Sequence, residues 1–121
     1  MDSYRDWGHS WDYVRAMHLM LQEDEPADWV VSTMETNSVR EMCELVFNYL
    51  DLDYKEYVIQ NPKFMRPEEL PYLKGDSTKI RTELGWKPKY SFKELMYEMC
   101  DHWMKIYDKL TENFSCNSIN R

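Results

Sequence analysis

Apolar residues recur at helical intervals in four stretches of this chain, and the polar residues between them carry start and stop signals for helices. Tyr13, Val14, Met17, Met20 and Leu21 mark one face of a first helix, which Asp12 is placed to cap and Glu23-Asp-Glu-Pro26 to end. Val39, Met42, Cys43, Val46, Phe47 and Leu50 mark a second. Ser38 with Glu41 three residues on reads as its capping box, in which each side chain takes up a free backbone N–H at the helix start. Ile80 and Leu84 belong to a short third helix, capped by Asp76 or Ser77 and closed by Gly85 with Pro88 just beyond. Ser91 and Glu94 form a second capping box. Phe92, Leu95, Met96, Met99, Trp103, Ile106, Tyr107 and Leu110 continue a stripe beyond it, as core or as a partner surface.

Two short runs, Trp29-Val-Val-Ser32 and Tyr57-Val-Ile-Gln60, are β-branched or aromatic and bounded by turn formers, and predict strands. The stretch around Gly8, with Trp7, His9 and Trp11, reads as an irregular entry loop. The pattern therefore predicts an α+β lobe of about four helices and two or three short strands over residues 1–112. A polar tail at 113–121 is expected to be disordered.

Composition narrows the function classes. At 121 residues the chain suits one domain, with too little length for a doubly wound sheet covered on both faces. A net charge of −7 and an isoelectric point near 4.9 repel nucleic acids and anionic lipids, so neither is an expected partner. No apolar run approaches the ~18 residues of a membrane helix, and Met-Asp-Ser-Tyr-Arg opens without an apolar signal region, so a cytoplasmic location is expected. Cys43, Cys100 and Cys116 lack Cys-x-x-Cys spacing, and His9, His18 and His102 add no metal-ligand pattern to them, so no metal is expected. Asn113-Phe-Ser115 matches a glycosylation acceptor only as a tripeptide.

The chemistry concentrates in Phe64-Met-Arg66-Pro67-Glu68-Glu69, which leaves the second expected strand and leads to Gly75-Asp76-Ser-Thr-Lys and Leu84-Gly85-Trp86-Lys87-Pro88. An arginine there can fork onto phosphate oxygens, and a glutamate three residues on can accept from two neighbouring hydroxyls. The same spacing also suits a plain surface pair between Arg66 and Glu69, worth about 0.2–0.5 kcal/mol on a helix. A second block near the N-terminus reads Arg5-Asp6-Trp7-Gly8-His9-Ser10-Trp11-Asp12-Tyr13.

Together the two blocks resemble the GDP-mannose 4,6-dehydratases, extended short-chain dehydrogenases/reductases whose pattern includes Arg-Asp-Trp-Gly-His-Ala-x-Asp-Tyr, Arg-Pro-x-Glu, Gly-Asp-x-x-Lys and Leu-Gly-Trp-Lys-Pro. The resemblance covers roughly residues 5–104, the C-terminal, substrate-binding part of the family. It implies that Arg5 and Arg66 contact the diphosphate of GDP-mannose and that Glu69 holds the ribose hydroxyls. It further implies NADP as cofactor of the full-length, oligomeric family, and an elimination toward GDP-fucose that begins with hydride transfer from the sugar. The family's glycine-rich loop and Tyr-x-x-x-Lys pair have no counterpart among Gly8, Gly75, Gly85 and the nine tyrosines. No catalytic or cofactor-binding residue is therefore assigned, and the 121 residues alone are expected to bind no NADP and to turn over no substrate. The Rossmann half is either encoded upstream, supplied by another chain, or lost. Ser32-Thr33-Met34-Glu35 departs from a small residue and glycine in the family, and Met34 is costly at positive φ, so that loop is expected to differ. Two readings follow: the substrate lobe of such an enzyme, or a non-catalytic interaction or nucleotide-sensing module derived from it.

Overall fold

Among the described residues there are four α-helices and a two-stranded antiparallel sheet, in agreement with the expected α+β class. The computed structural model describes residues 1–64 and 69–117, with side chains as far as 110. Helix α1 (Ser10–Met20) begins earlier than a cap at Asp12 would allow. Its cap is His9, whose Nδ1 accepts from the Trp11 N–H at 3.1 Å. Asp12 is committed elsewhere: its buried carboxylate accepts from Arg15 at 2.5 Å and from the N–H groups of Lys89 and Tyr90 at 3.0 and 3.1 Å.

Helix α2 (Val39–Tyr49) carries the expected capping box, with the Ser38 N–H donating to Glu41 at 2.6 Å and the Glu41 N–H to Ser38 Oγ at 3.1 Å. The Val39 and Arg40 N–H groups donate to the carbonyls of Ser3 and Met1, so the chain start lies across the open end of α2. Helix α3 (Thr78–Glu83) ends at Gly85, whose φ of +63° is the left-handed conformation that made a glycine the expected stop. Asp76 rather than Ser77 supplies its side-chain cap, accepting from the Thr78 N–H at 2.9 Å and Thr78 Oγ1 at 2.6 Å. Those bonds hold the Asp76 carboxyl below its usual range. Ser77 is fully buried instead, where it donates to the Ser32 carbonyl and accepts from Arg81 Nε, both at 2.9 Å. Helix α4 (Phe92–Asn117) opens on the Ser91–Glu94 box and runs on beyond the stripe that marked it in the sequence.

The strands lie elsewhere than the pattern placed them. β1 (Tyr4–Arg5) pairs antiparallel with β2 (Asn37–Ser38), Tyr4 opposite Ser38 and Arg5 opposite Asn37. Residues 29–32 and 57–60 join no ladder. Around the first, backbone groups are taken by side chains: Lys79 donates to the Asp28 carbonyl, Ser77 to Ser32, and the Thr33 N–H donates to Asp6. The second follows a 3₁₀ turn at Tyr54–Glu56 and leaves Tyr57 and Ile59 exposed. Apolar alternation measures burial, whereas a strand also needs a neighbour with free N–H and C=O groups.

The core is small. Ala16, Ile80 and Trp86 are essentially inaccessible, with Leu19, Met20, Trp29, Val31 and Leu84 packed around them, so α1, α3 and the Gly85-Trp86 turn converge there. A second contact joins α2 to α4, where Tyr49 stacks on Tyr97 at 3.9 Å and donates to Asp101 at 2.7 Å. Along α4 the stripe divides. Met96 is buried, while Met99, Trp103 and Leu110 are more than half exposed.

Candidate functional site

β1 sits between two partners, and this explains what reaches the site. On one side it pairs with β2. On the other the Tyr4 N–H donates to the Pro71 carbonyl at 2.8 Å and the Leu73 N–H donates back to Tyr4 at 3.1 Å. That register brings Glu69 and Leu70 alongside Arg5 although 64 residues separate Arg5 from Glu69. Arg5 Nη2 donates to Glu69 Oε1 in an ion pair, and Nη1 donates to the carbonyls of Tyr4 at 2.7 Å and Leu70 at 2.9 Å.

Arg5 and Glu69 line a hollow of about 290 Å³ together with Met1, Ser3, Val39, Gln60 and Phe64. A guanidinium and a carboxylate share its lining with the polar Ser3 and Gln60 and the apolar Met1, Val39 and Phe64. N–H donors of a guanidinium suit an anion, a carboxylate suits hydroxyls, and apolar side chains suit the face of a ring. Of the three residues singled out in the sequence, Arg5 and Glu69 thus meet at one hollow, while Arg66 lies outside the described residues. Glu69 pairs with Arg5, a partner that the helical spacing to Arg66 did not suggest. Phe64 opened the segment singled out in the sequence, while Val39 and Gln60 were legible only as elements of a helix and an expected strand, with no chemical signal to mark them as lining.

Behind β1, Asp6 holds the loop expected to differ. Its carboxylate accepts from the N–H groups of Thr33 and Met34 at 2.9 and 3.1 Å and from Thr33 Oγ1 at 2.6 Å. Met34 has φ of +65°, so the loop takes a glycine-type conformation with a methionine in it. A left-handed non-glycine residue costs roughly 1–2 kcal/mol, and a glycine returns roughly 0.5–1 of that through its looser unfolded chain. Met34→Gly is therefore expected to stabilise the protein by about 0.5 kcal/mol, measured as a raised urea midpoint at unchanged slope. Beside the same loop, burial first and then the Asp6 and Asp12 carboxylates push the Tyr13 phenol up, which keeps its proton in place. Tyr13 packs so closely on Gly8 that a side chain there would overlap its hydroxyl.

Among the described residues no group of three or more His, Cys, Asp or Glu side chains is arranged to hold a metal ion. No helix there is long and apolar enough to cross a membrane.

The family model described as GDP-mannose 4,6 dehydratase matches residues 1–99. GDP-mannose 4,6 dehydratase 1 of Arabidopsis thaliana is 43% identical over 102 residues, covering 84% of this chain and 28% of that relative. Among solved structures, the Bordetella bronchiseptica enzyme WbmG in complex with NAD and UDP superposes with a TM-score of 0.70 at 28% identity, over 86% of this chain and 32% of that one. UDP-glucose 4-epimerase of Thermotoga maritima with UDP-glucose superposes with a TM-score of 0.76 at 25% identity, over 88% and 33%. The chain thus spans about a third or less of the length of the proteins it matches.

Proposed function

Because this chain belongs to the GDP-mannose 4,6-dehydratase family, we propose that it holds the GDP end of GDP-mannose for an enzyme that converts GDP-D-mannose to GDP-4-dehydro-6-deoxy-D-mannose and water. The observation that carries this reading is the meeting of Arg5 and Glu69 in the lining of one hollow. In the proposed complex Arg5 and Arg66 contact the diphosphate and Glu69 accepts from the ribose hydroxyls. A guanidinium fork matches the oxygens of a diphosphate, and a carboxylate can take two hydroxyl donors at once.

The described residues do not fit the NADP of the full-length family. Each glycine is occupied in a separate place: Gly8 under Tyr13, Gly75 against Ser32, and Gly85 at the end of α3. They cannot together form the turn that cradles a dinucleotide phosphate. Hydride transfer and elimination are accordingly assigned to a Rossmann domain outside this sequence, in the cytoplasm and within an oligomer.

Titration calorimetry with GDP-mannose tests the reading. The chain is expected to bind, and Arg5→Ala or Arg66→Ala is expected to weaken binding by at least about tenfold, the worth of a lost charge-assisted pair. Incubation with GDP-mannose and NADP is expected to yield no 4-keto product. Absence of binding by the unsubstituted chain would refute the reading and favour a non-catalytic interaction module, which the exposed Met99, Trp103 and Leu110 on α4 also suit.

A further inference from the structure

We propose that α4 is a self-association surface: two copies of this chain cross antiparallel at Trp103, and the part of α4 past that residue lies along the groove beside the other copy's α4. This holds whether or not the hollow beside β1 takes a nucleotide. The accessible surface is 9815 Å², against roughly 7000 Å² for a folded monomer of 14.8 kDa. The chain therefore leaves uncovered surface that a self-sufficient monomer of its mass would bury. On α4 this surface is a stripe. Met99, Trp103 and Leu110 are more than half exposed and, at about 100° per residue, stand within an arc of about 40°. The stripe continues the line of Met96, which is buried in the body of the fold.

The family match ends at residue 99, where the stripe emerges, while the helix goes on to Asn117. The exposed stripe thus lies outside the part of the chain that the family shares, and a helix end without tertiary cover is marginal in water. A groove of about 660 Å³ runs beside it, lined by His9 and Ser10 at the start of α1 and by Leu95, Met99, His102 and Trp103 of α4. An antiparallel crossing at Trp103 brings Leu110 of one copy level with Leu95 and Met96 of the other, over this groove. Charge selects the second copy and its direction. Glu98 and Lys109 are exposed on the same flank of the stripe, roughly 100–120° round from it. Antiparallel helices bring like flanks together, so each Glu98 meets the other copy's Lys109, twice by two-fold symmetry. Glu98 reaches His9 Nε2 at 3.3 Å, yet its side chain is 59% exposed and has room for this second partner. A parallel pair would set the charged flank against Cys100 and Met104, which are neutral.

Sedimentation equilibrium of the 121-residue chain across micromolar to millimolar concentrations tests this. Dimers are expected and no larger species, because a two-fold contact closes on itself. Trp103→Glu, which sets two carboxylates at the axis, is expected to weaken the dimer at least about thirtyfold with an unchanged circular dichroism spectrum. Should that variant lose helix, Leu110→Glu gives the same readout from a side chain further along. Lys109→Glu is expected to weaken the dimer about three- to tenfold at low salt, and Glu98→Lys combined with Lys109→Glu to restore it. Val14→Glu, on the exposed side of α1, is expected to leave the dimer intact. A chain that stays monomeric throughout, a dimer indifferent to both Trp103→Glu and Leu110→Glu, or one abolished by Val14→Glu overturns the proposal. A charge exchange that fails to restore the Lys109→Glu dimer overturns the antiparallel direction.

Discussion

Trp86→Ala is expected to cost roughly 4 kcal/mol and to lower the thermal midpoint by roughly 15 °C, at about 4 °C per kcal/mol for a domain of this size. Trp86 is 1% exposed and is the largest of the fully buried side chains. It fills the space between Ala16 of α1 and Ile80 of α3, so truncation leaves a cavity that two helices and a tight turn cannot close. Its indole Nε1 also donates to the Asp12 carbonyl at 2.9 Å, inside the first turn of α1. Trp86→Phe separates the two contributions. It keeps most of the volume and loses the hydrogen bond, for an expected cost of about 1–1.5 kcal/mol. Denaturation followed by circular dichroism decides the matter. A loss below about 1 kcal/mol in Trp86→Ala would mean that the three-residue centre is not what holds α1 to α3.

How much of this was legible in the sequence follows from the range of each interaction. Helices α2 and α4 were readable because a capping box lies within four residues of its helix and the apolar period repeats through it. Gly85 was readable because a left-handed stop is a property of one residue. Asp12 was misread as a cap because the same carboxylate serves a seam with Lys89 and Tyr90, more than 70 residues away, and His9 took the capping role. Trp86 was visible only inside a family motif, with nothing local to show that its ring would become the centre of the core.

The candidate site divides along the same line. Arg5 and Glu69 could each be singled out by resemblance, yet their pairing depends on β1 lying beside residues 71–73, which no periodicity encodes. Helical spacing offered Glu69 a partner at Arg66, and the tertiary register supplied Arg5. The first expected strand failed for a related reason: Trp29 and Val31 pack on the core without any neighbouring ladder, so burial produced a strand-like pattern in a segment that is not one, whereas Tyr57 and Ile59 of the second are exposed and pair with no strand. Met34 shows the converse. A residue type argued against positive φ, and three hydrogen bonds to Asp6 impose it nonetheless.

Asp12→Ala is expected to cost roughly 3 kcal/mol, and Asp12→Asn roughly 2. The carboxylate is 1% exposed and satisfies three donors, with Arg15 on one oxygen and the N–H groups of Lys89 and Tyr90 on the other. Alanine removes all three bonds and with them the link from α1 to the segment that launches α4. Arg15 is itself one-third exposed and keeps a bond to the Lys87 carbonyl at 3.3 Å, so water compensates its charge in part and the loss stays below that of a wholly buried pair. Asparagine keeps the shape, but its single carbonyl oxygen can serve either Arg15 or the two backbone donors, and its amide then faces the remaining donors as a donor itself. Because Asp12 and Trp86 tie the same turn of α1 to adjacent residues of one segment, Asp12→Ala with Trp86→Ala should cost less than the sum of the singles by at least about 0.5 kcal/mol. Urea denaturation of the four proteins measures this directly. Strict additivity would show that the hydrogen-bonded seam and the apolar centre hold the fold independently of each other.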